Sequence, residues 1–493
     1  MTIKIAKARS FDRGAPRLMI PGAIGASPGK PIFMQIPCLG ERPIHFTYEG
    51  FPKGLTGSGE GFLKGSVTAE GSYPVKIIAE NSQGKAEKQV EIRIKPGGVC
   101  QTPLMGWTSW NAFKSKVTQE DIERQAQALV ASGLSSFGYQ YVNLDSTWQG
   151  EYGGPHDAVM PNEKFPDMKK MCDYIHSLGL KCGIYSTPME KAWGAPAGHE
   201  NDRIYPGCTK GERDNRYGTA YPVGLEHYEK NNVAQWCDWG FDYLKYDWGH
   251  ICDTDNAELM RQALEESPRD FAYCITVGAV LSSVDYWSKH CQSWRFNPDS
   301  WERWDTLKQI CFTPDDWAQY CQPGHFFDLD MLESGVLCKN HAGDPVYGRC
   351  VLTENEQLVG YTMRALFPSP IQLSCDLTKL NEFEINMFCN EEVIEVNQDI
   401  LCSGAICVDE KKSFGRDYQL VKHTRVYERE LSDGTLCIGF FNIGETEEQL
   451  TYQLNQPVDA RDLWAKEDLG TFEQEISFVM EPHSVRLLKI KNK

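Results

Sequence analysis

From Thr102 to about Asp399 the sequence alternates between short strand-like runs and amphipathic helical runs, and this alternation constrains the fold more than any other feature. Eight such repeats in succession predict a closed (β/α)8 barrel. A doubly wound open sheet is the alternative, but no glycine-rich phosphate-binding turn follows an early strand. The predicted strands are Met105–Trp110, Tyr139–Asp145, Lys181–Tyr185, Phe241–Tyr246, Phe271–Thr276, Ser293–Phe296, Phe327–Leu332 and Ile371–Cys375.

Helix boundaries are marked between these strands. Thr118 and Asp121 form a capping pair ahead of a run with one apolar face. Asp167 caps the next helical run, which Gly179 ends. A third helix ends at Gly240, just before the fourth strand.

The two ends of the chain have a different pattern, that of β-structure. Residues 1–98 hold short strand-like runs separated by Gly and Pro, which predicts a β-sandwich, and a linker rich in Pro and Gly follows. The segment from residue 51 to 94 resembles the immunoglobulin-like domains found beside bacterial enzymes. Residues 99–399 would form the barrel. From residue 400 to 493 helical patterning stops, and alternating runs predict a C-terminal antiparallel β-sandwich.

The stretch FDYLKYDWGH, residues 241–250, predicts the fourth strand and carries two charged residues near the strand end. Lys245 and Asp247 are two residues apart, so on a strand they point the same way. Unpaired charge is costly in a core, so this pair favours a site. In a barrel the carboxyl ends of the strands form the active site. The polar residues at or just past such ends are Asp145, Tyr185, Lys245, Asp247, Thr276, Arg295 and Asp299.

Asp247 and Asp299 follow the fourth and sixth strands and could face each other across the barrel mouth. Paired carboxylates serve glycoside hydrolysis, one as nucleophile and the other as proton donor and acceptor. Lys245 would keep Asp247 ionised. Partial burial would raise the pKa of Asp299, whereas Arg295 would lower it. The alternative for Asp299 is a helix cap before residues 300–310.

Composition narrows the class of partner. With 50 Lys and Arg against 68 Asp and Glu, the net charge is −18, which disfavours nucleic acid and anionic membranes. No apolar run is long enough to span a bilayer. The 18 cysteines form no zinc-type cluster in the sequence. Most of them are expected to be buried thiols, and one or two disulfides are an alternative. The compartment is periplasmic or secreted if a signal peptide was removed, and otherwise cytoplasmic. Oligomeric state stays open.

Seven segments give the chain a resemblance to a known family. In order they are MGWTSWNAF, YVNLDSTW, PNEKFPDMKKMCDYIHSLGLKCGIY, FDYLKYDW, WRFNPDSWERWD, PGHFFDLDML and EVIEVNQD. Together they resemble glycoside hydrolase family 27, in the manner of bacterial α-galactosidases, and ARDLWAKEDLG is similar to the C-terminal sandwich of that family. The resemblance implies a retaining, exo-acting α-glycosidase that needs no metal or cofactor and takes a carbohydrate substrate, with α-galactoside leading.

The resemblance also implies residue roles. Asp247 would be the nucleophile and Asp299 the acid/base. The remaining residues would contact the sugar. Trp107 would form an apolar wall, and Asp145 and Lys245 would bind hydroxyl groups. Tyr185 would lie near the ring, and Arg295 near the 2-substituent.

Two departures bear on the sugar. Ser146 stands where galactosidases of the family carry a second aspartate, so one charge-assisted hydrogen bond is lost or rerouted. Thr276 and Ala279 replace larger residues, as in α-N-acetylgalactosaminidases. That activity and β-L-arabinopyranosidase are therefore alternatives, and a barrel that only binds carbohydrate is a further one. The insertion around 193–221 carries candidate platforms for the leaving sugar, which are Trp193, Tyr205, Tyr217 and Tyr221.

Overall fold

Eight parallel strands form the central sheet in the computed structural model, which describes residues 4–193, 205–217, 222–247, 254–277, 279–313, 315–340, 343–414 and 420–493. Neighbours pair in chain order, and the eighth strand returns to pair with the first. A parallel bridge from Leu332 to Leu373 links the segment after the seventh strand to the eighth. The sheet is curled and fits a (β/α)8 barrel, as predicted. The strands are Met105–Thr108, Tyr141–Asn143, Lys181–Ser186, Tyr243–Asp247, Ala272–Thr276, Ser293–Trp294, Phe326–Phe327 and Ile371–Leu373.

Helices follow the strands as the alternation predicts. The α-helices are Trp110–Phe113, Gln119–Ala131, Met168–Ser177, Glu229–Trp239, Asp255–Glu266, Val284–His290, Trp304–Phe312, Asp315–Ala318, Glu354–Leu366, Glu382–Phe388 and Glu391–Asn397. Short 3-10 turns occupy Lys114–Lys116, Leu134–Phe137, Leu281–Ser283 and Leu377–Lys379.

The predicted helix ends are confirmed. Thr118 and Asp121 form a reciprocal capping box, an arrangement whose cap residue contributes about 1 kcal/mol. The Asp167 side chain accepts a hydrogen bond from the backbone N–H of Lys170. Gly240 ends its helix with φ 103°, a left-handed conformation in which a side chain would be strained.

Short two-stranded ribbons extend the loops of the barrel. They pair Gln149–Gly153 with Ala158–Pro161, Lys191–Ala192 with Tyr205–Pro206, Thr209–Arg213 with Gly224–His227, and Val336–Cys338 with Tyr347–Arg349.

The N-terminal strands form two main sheets around their own apolar core. One sheet orders Ala23–Ala26, Gly84–Ile94, Gly71–Asn81 and His45–Glu49, and its first pair is parallel. The other orders Pro31–Gln35, Phe62–Ser66 and Leu55–Gly57, and a small ribbon joins Arg17–Leu18 to Cys38–Leu39.

This N-terminal unit lies against the bottom of the barrel, where the strands begin. Asp270, just before the fifth strand, accepts the Ser27 backbone N–H at 2.7 Å, and Lys30 lies 3.7 Å from the same carboxylate. Gln140, just before the second strand, donates to the Gln35 carbonyl at 2.5 Å. A cavity of about 160 Å³ remains between the two units. The N-terminal unit is thus remote from the barrel mouth.

The C-terminal strands form the predicted antiparallel structure. A six-stranded sheet orders Ile406–Phe414, Leu420–Glu430, Leu436–Asn442, Ser484–Asn492, Val458–Asp462 and Glu467–Phe472, and a ribbon pairs Glu448–Gln453 with Glu475–Met480. His483 ties this region to the barrel: its ring stacks on Trp304 with centroids 4.3 Å apart and lies 2.8 Å from a Glu356 oxygen.

The 17 cysteines that the structure describes are all free thiols, most of them buried, as expected. Cys252 lies outside the described residues. Across the described ranges, no helix combines the length and apolarity that a bilayer crossing requires.

Candidate active site

Asp247 is the last residue of the fourth strand, and the strands on either side of it each donate a hydrogen bond to its carboxylate. Tyr185 on the third strand donates its hydroxyl to Oδ2 at 2.8 Å. Thr276 on the fifth strand donates to Oδ1 at 2.7 Å. The parallel register places Thr276 directly beside Asp247, so strand pairing itself builds the contact. Both oxygens are therefore held in a fixed orientation.

Lys245 points to the same side as Asp247 but bonds elsewhere. Its ammonium donates to Asp145 Oδ2 at 2.6 Å, and both side chains are largely buried. Asp145 Oδ1 accepts the backbone N–H of Ser146 at 2.8 Å. Burial lowers the pKa of Lys245, but the carboxylates of Asp145 and Asp247 outweigh it, and the net pKa is raised.

Lys245 lowers the pKa of Asp247, in the direction that the sequence suggests, but other influences decide the net shift. Burial raises the pKa of Asp247, and the nearby charge of Asp299 adds to the rise. Lys245 and the two hydroxyl donors act in the opposite direction without reversing it. Burial is the largest of these influences, so the net pKa of Asp247 lies above its usual value.

Asp299 follows the sixth strand on a loop. Its carboxylate accepts from Arg295 at 2.9 Å, and its side chain is 59% exposed to the cleft. Desolvation raises the pKa of Asp299, but the Arg295 guanidinium and the Lys245 ammonium prevail, so the pKa lies below its usual value. The helix after it begins at Trp304 with Arg303 as N-cap, so Asp299 is not a helix cap.

The loop that carries Asp299 is fixed on both sides. Asp330 Oδ2 accepts from Arg295 at 3.0 Å and from the Ser300 backbone N–H at 2.6 Å. Two residues further on, Glu302 pairs with Lys339 at 2.5 Å. Arg295 is buried, and its charge is shared between the carboxylates of Asp299 and Asp330, which offset part of the cost of its desolvation. Lys339 is not among the residues that the sequence pattern marks.

Trp107 does not occupy the position predicted for it. The side chain is fully buried, and its indole N–H donates to the Cys375 carbonyl at 2.7 Å. A ring with no exposed surface cannot form a wall against a sugar. Trp110, three residues later, is only half-buried and is a better candidate. The tryptophan repeat in MGWTSW was the available signal.

Ser146 forms a hydrogen bond with the inserted segment. Its hydroxyl donates to the backbone carbonyl of Trp193, and the Trp193 backbone also bonds to the Tyr185 hydroxyl. The missing second carboxylate is thus replaced by a contact between the second strand and the insertion. A carboxylate at position 146 would face that carbonyl oxygen with like partial charge.

The remaining predicted residues make contacts of their own. Ala279 is buried and its backbone N–H donates to the Arg295 carbonyl at 3.3 Å. Tyr217 accepts a hydrogen bond from Asn256 at 3.0 Å, and Tyr205 is half-buried. Tyr221 lies outside the described residues, as do residues 248–250 of the fourth-strand stretch.

A (β/α)8 barrel with two carboxylates at the carboxyl ends of its fourth and sixth strands has the architecture of a glycoside hydrolase. A family model described as "Alpha galactosidase A" matches residues 102–204 and 209–399, more than half of the chain. A second model, described as "Alpha galactosidase C-terminal beta sandwich domain", matches residues 422–490. The chain belongs to this α-galactosidase family, which is glycoside hydrolase family 27.

Individual relatives agree with the family. The chain is 29% identical to α-galactosidase 2 of Arabidopsis thaliana, over 79% of this chain and 89% of that protein. It is 28% identical to the α-galactosidase of Cyamopsis tetragonoloba, over 85% and 93%.

Solved structures extend the comparison to the fold. A candidate α-galactosidase from Bacteroides fragilis superposes with a TM-score of 0.81 at 24% identity, over 98% of this chain and 99% of that one. The shared fold therefore includes the N-terminal strands. A β-L-arabinopyranosidase from Geobacillus stearothermophilus gives a TM-score of 0.64 at 25% identity, over 79% and 96%.

Proposed function

We propose that the protein is a retaining, exo-acting α-galactosidase that removes terminal α-linked galactose from oligosaccharides or glycoconjugates. The observation that carries the proposal is the Asp247 carboxylate, held by Tyr185 and Thr276 beside a second carboxylate, Asp299, within a chain of the α-galactosidase family. Relatives at 28–29% identity bear the same name.

In this proposal Asp247 attacks the anomeric carbon, and the bond to the leaving oxygen breaks as Asp299 donates its proton to that oxygen. The product of this step is a glycosyl ester on Asp247. Asp299, now ionised, then takes a proton from water, which attacks the anomeric carbon and releases Asp247. Asp145 and Lys245 would bind sugar hydroxyls, and Trp110 would take the role first predicted for Trp107.

The proposed reaction needs Asp247 ionised and Asp299 protonated, whereas the pKa shifts of the two groups in the free protein run in the opposite directions. Burial raises the pKa of Asp247, and Arg295 lowers that of Asp299. Substrate binding would shift this balance, because a sugar in the cleft covers the Asp299 carboxylate, which is 59% exposed without it. Loss of water disfavours the charged form of a carboxyl group and so raises its pKa.

Two sugars remain as alternatives within the family. Position 146 carries a serine that bonds to Trp193, so this position offers no carboxylate to the hydroxyls at the 4- and 6-positions, which favours β-L-arabinopyranoside, a sugar without a 6-hydroxyl. Thr276 and Ala279 favour α-N-acetylgalactosaminide by their small size. A barrel that only binds carbohydrate is less consistent with an intact pair of carboxylates.

A panel of aryl glycosides tests the proposal. We expect cleavage of an aryl α-galactoside, with release of the α-anomer as first product by NMR. Asp247→Gly should abolish turnover, and azide should restore part of it by taking the place of the missing nucleophile. Asp247→Glu is the matched control that keeps the charge. Cleavage of none of the glycosides by a protein that still binds glycans would refute the proposal.

For the architecture, we propose that the N-terminal unit is an immunoglobulin-like sandwich and that the domains are residues 1–98, 99–399 and 400–493. Separate apolar cores for the N-terminal and C-terminal strands support this division. Limited proteolysis should cut first near residues 95–99. Cleavage within the N-terminal sheets at the same rate would contradict it.

A further inference from the structure

Lys114 is a buried lysine beside the cleft that the proposed reaction does not use. It is 7% exposed and follows the short helix Trp110–Phe113. Its backbone has φ 50° and ψ −138°, a strained conformation for a residue with a side chain. Strain of this kind persists only where surrounding contacts enforce it, so Lys114 is held in place by its neighbours.

Two aromatic rings flank the ammonium group. Lys114 Nζ lies 5.6 Å from the centre of the Trp110 ring and 5.6 Å from that of Trp301. A cation over an indole face is attracted electrostatically, more strongly where water is excluded. Trp110 belongs to the loop after the first strand, whereas Trp301 is two residues beyond Asp299. Lys114 therefore joins these two loops.

Carboxylates surround the same ammonium. Lys114 donates to Asn111 Oδ1, and the Asn111 amide donates at 2.7 Å to Glu333, which is 4% exposed. Burial lowers the pKa of Lys114 and raises that of Glu333 to about 8. Asp299 and Asp145 also face the ammonium. Asn111 thus links the Lys114 ammonium to the Glu333 carboxyl group through two hydrogen bonds.

We propose that Lys114 is a positioning residue for Asp299: clamped between Trp110 and Trp301, its ammonium holds the loop that carries Asp299 and stabilises the carboxylate that forms when the leaving group is protonated. The inference rests on the proposed role of Asp299 as acid/base. A fixed cation beside a group that becomes negative in the transition state lowers the barrier without reorganisation. The same charge keeps Asp299 ionised for the second step.

Other charged groups also face Asp299. Arg295 is bonded to it, Lys245 and Asp247 lie across the cleft, and Asp330 holds Arg295. All of these remain when Lys114 alone is changed. A shift in the pH profile of a Lys114 variant therefore reports the loss of this charge together with its effect on Glu333, which Asn111 links to Lys114.

The test compares Lys114→Met with Lys114→Arg on two α-galactosides. With a phenyl leaving group, which needs protonation, kcat/KM of Lys114→Met should fall at least about tenfold, since acid catalysis contributes roughly 10²–10⁴. With a 2,4-dinitrophenyl leaving group the fall should be within about threefold, because that group leaves without an acid. The alkaline limb of the profile should move to higher pH, and Lys114→Arg should resemble the parent.

Trp301→Leu provides a second variant if Lys114→Met does not fold, because Trp301 is 39% exposed and its loss is tolerable. It should show the same dependence on the leaving group. Equal losses for both leaving groups with an unmoved alkaline limb would overturn the inference. Asp299→Ala separates this failure from a failure of the proposed function: if Asp299→Ala also loses both substrates equally, the assignment of Asp299 is wrong.

Discussion

Removing the ammonium of Lys245 should destabilise the barrel and impair catalysis by two separable effects. Lys245 Nζ lies 2.6 Å from Asp145 Oδ2, with side chains 13% and 3% exposed. At an effective dielectric constant of about 20, the gross attraction at this distance is about 6 kcal/mol. Desolvation offsets several kcal/mol per ion, but truncating one partner of such a pair costs about 3–5 kcal/mol because the other charge stays buried. We expect the free energy of unfolding to fall by that amount in Lys245→Met, a change that keeps the aliphatic part of the side chain.

A double-mutant cycle isolates the pair. Asp145→Asn in the Lys245→Met background removes the orphaned charge, so the double variant should recover stability, with a coupling of up to about 3 kcal/mol. Unfolding in urea can be followed by tryptophan fluorescence, since all but one of the 13 tryptophans lie in residues 99–399. A coupling of about 0.2–1 kcal/mol, as for an exposed pair, would refute the reasoning.

The catalytic effect should not recover in the double variant. Lys245 also lowers the pKa of Asp247 and so favours the ionised nucleophile. We expect kcat/KM to fall about 10²- to 10³-fold in both Lys245→Met and the double variant, in the range for loss of one preorganised electrostatic contact. Recovery of activity together with stability would show that Lys245 acts only through folding.

Three further predictions concern pH and thiols. On the acid side, kcat/KM should fall at a higher pH than for an ordinary aspartate, because burial raises the pKa of Asp247, and an acid limb in the usual aspartate range would contradict this. His483→Gln should lower the melting temperature more at pH 6 than at pH 8. Burial lowers the pKa of His483, but the hydrogen bonds to Glu356 and Glu445 outweigh it and the net pKa is raised, and a raised pKa gives stability that is lost as pH rises through it. Equal losses at both pH values would refute that linkage. A reducing agent should leave the melting temperature unchanged, and thiol reagents should react slowly until unfolding, because burial raises the pKa of thiols such as Cys274 to about 12.

The sequence predicted the eight barrel strands because strand and helix periods alternate clearly, and each strand lies within a few residues of its predicted place. The seventh strand is the least accurate: the prediction ran to Leu332, whereas the strand ends at Phe327. Asp330 explains the difference, because its φ of 63° turns the chain out of extended conformation and aims its carboxylate at Arg295.

The cluster around Asp247 was also predictable, since strand ends converge in any barrel. The partners within it were not. Lys245 lies next to Asp247 along the chain but bonds to Asp145, a hundred residues away. Lys114 carries no sequence signal, because its position depends on a strained backbone and on two tryptophans from different loops. Local patterns locate such residues, but only tertiary packing selects their contacts.

The N-terminal strands lie at the base of the barrel, at the end opposite to the cleft. Contacts such as Ser27 with Asp270 and Gln35 with Gln140 leave the opposite end, with Asp247 and Asp299, uncovered by this unit. An attachment chemistry directed at the outer strand His45–Glu49 would immobilise the protein on a support with its cleft facing the surrounding liquid. Bulky or polymeric glycans could then reach the cleft without passing the support.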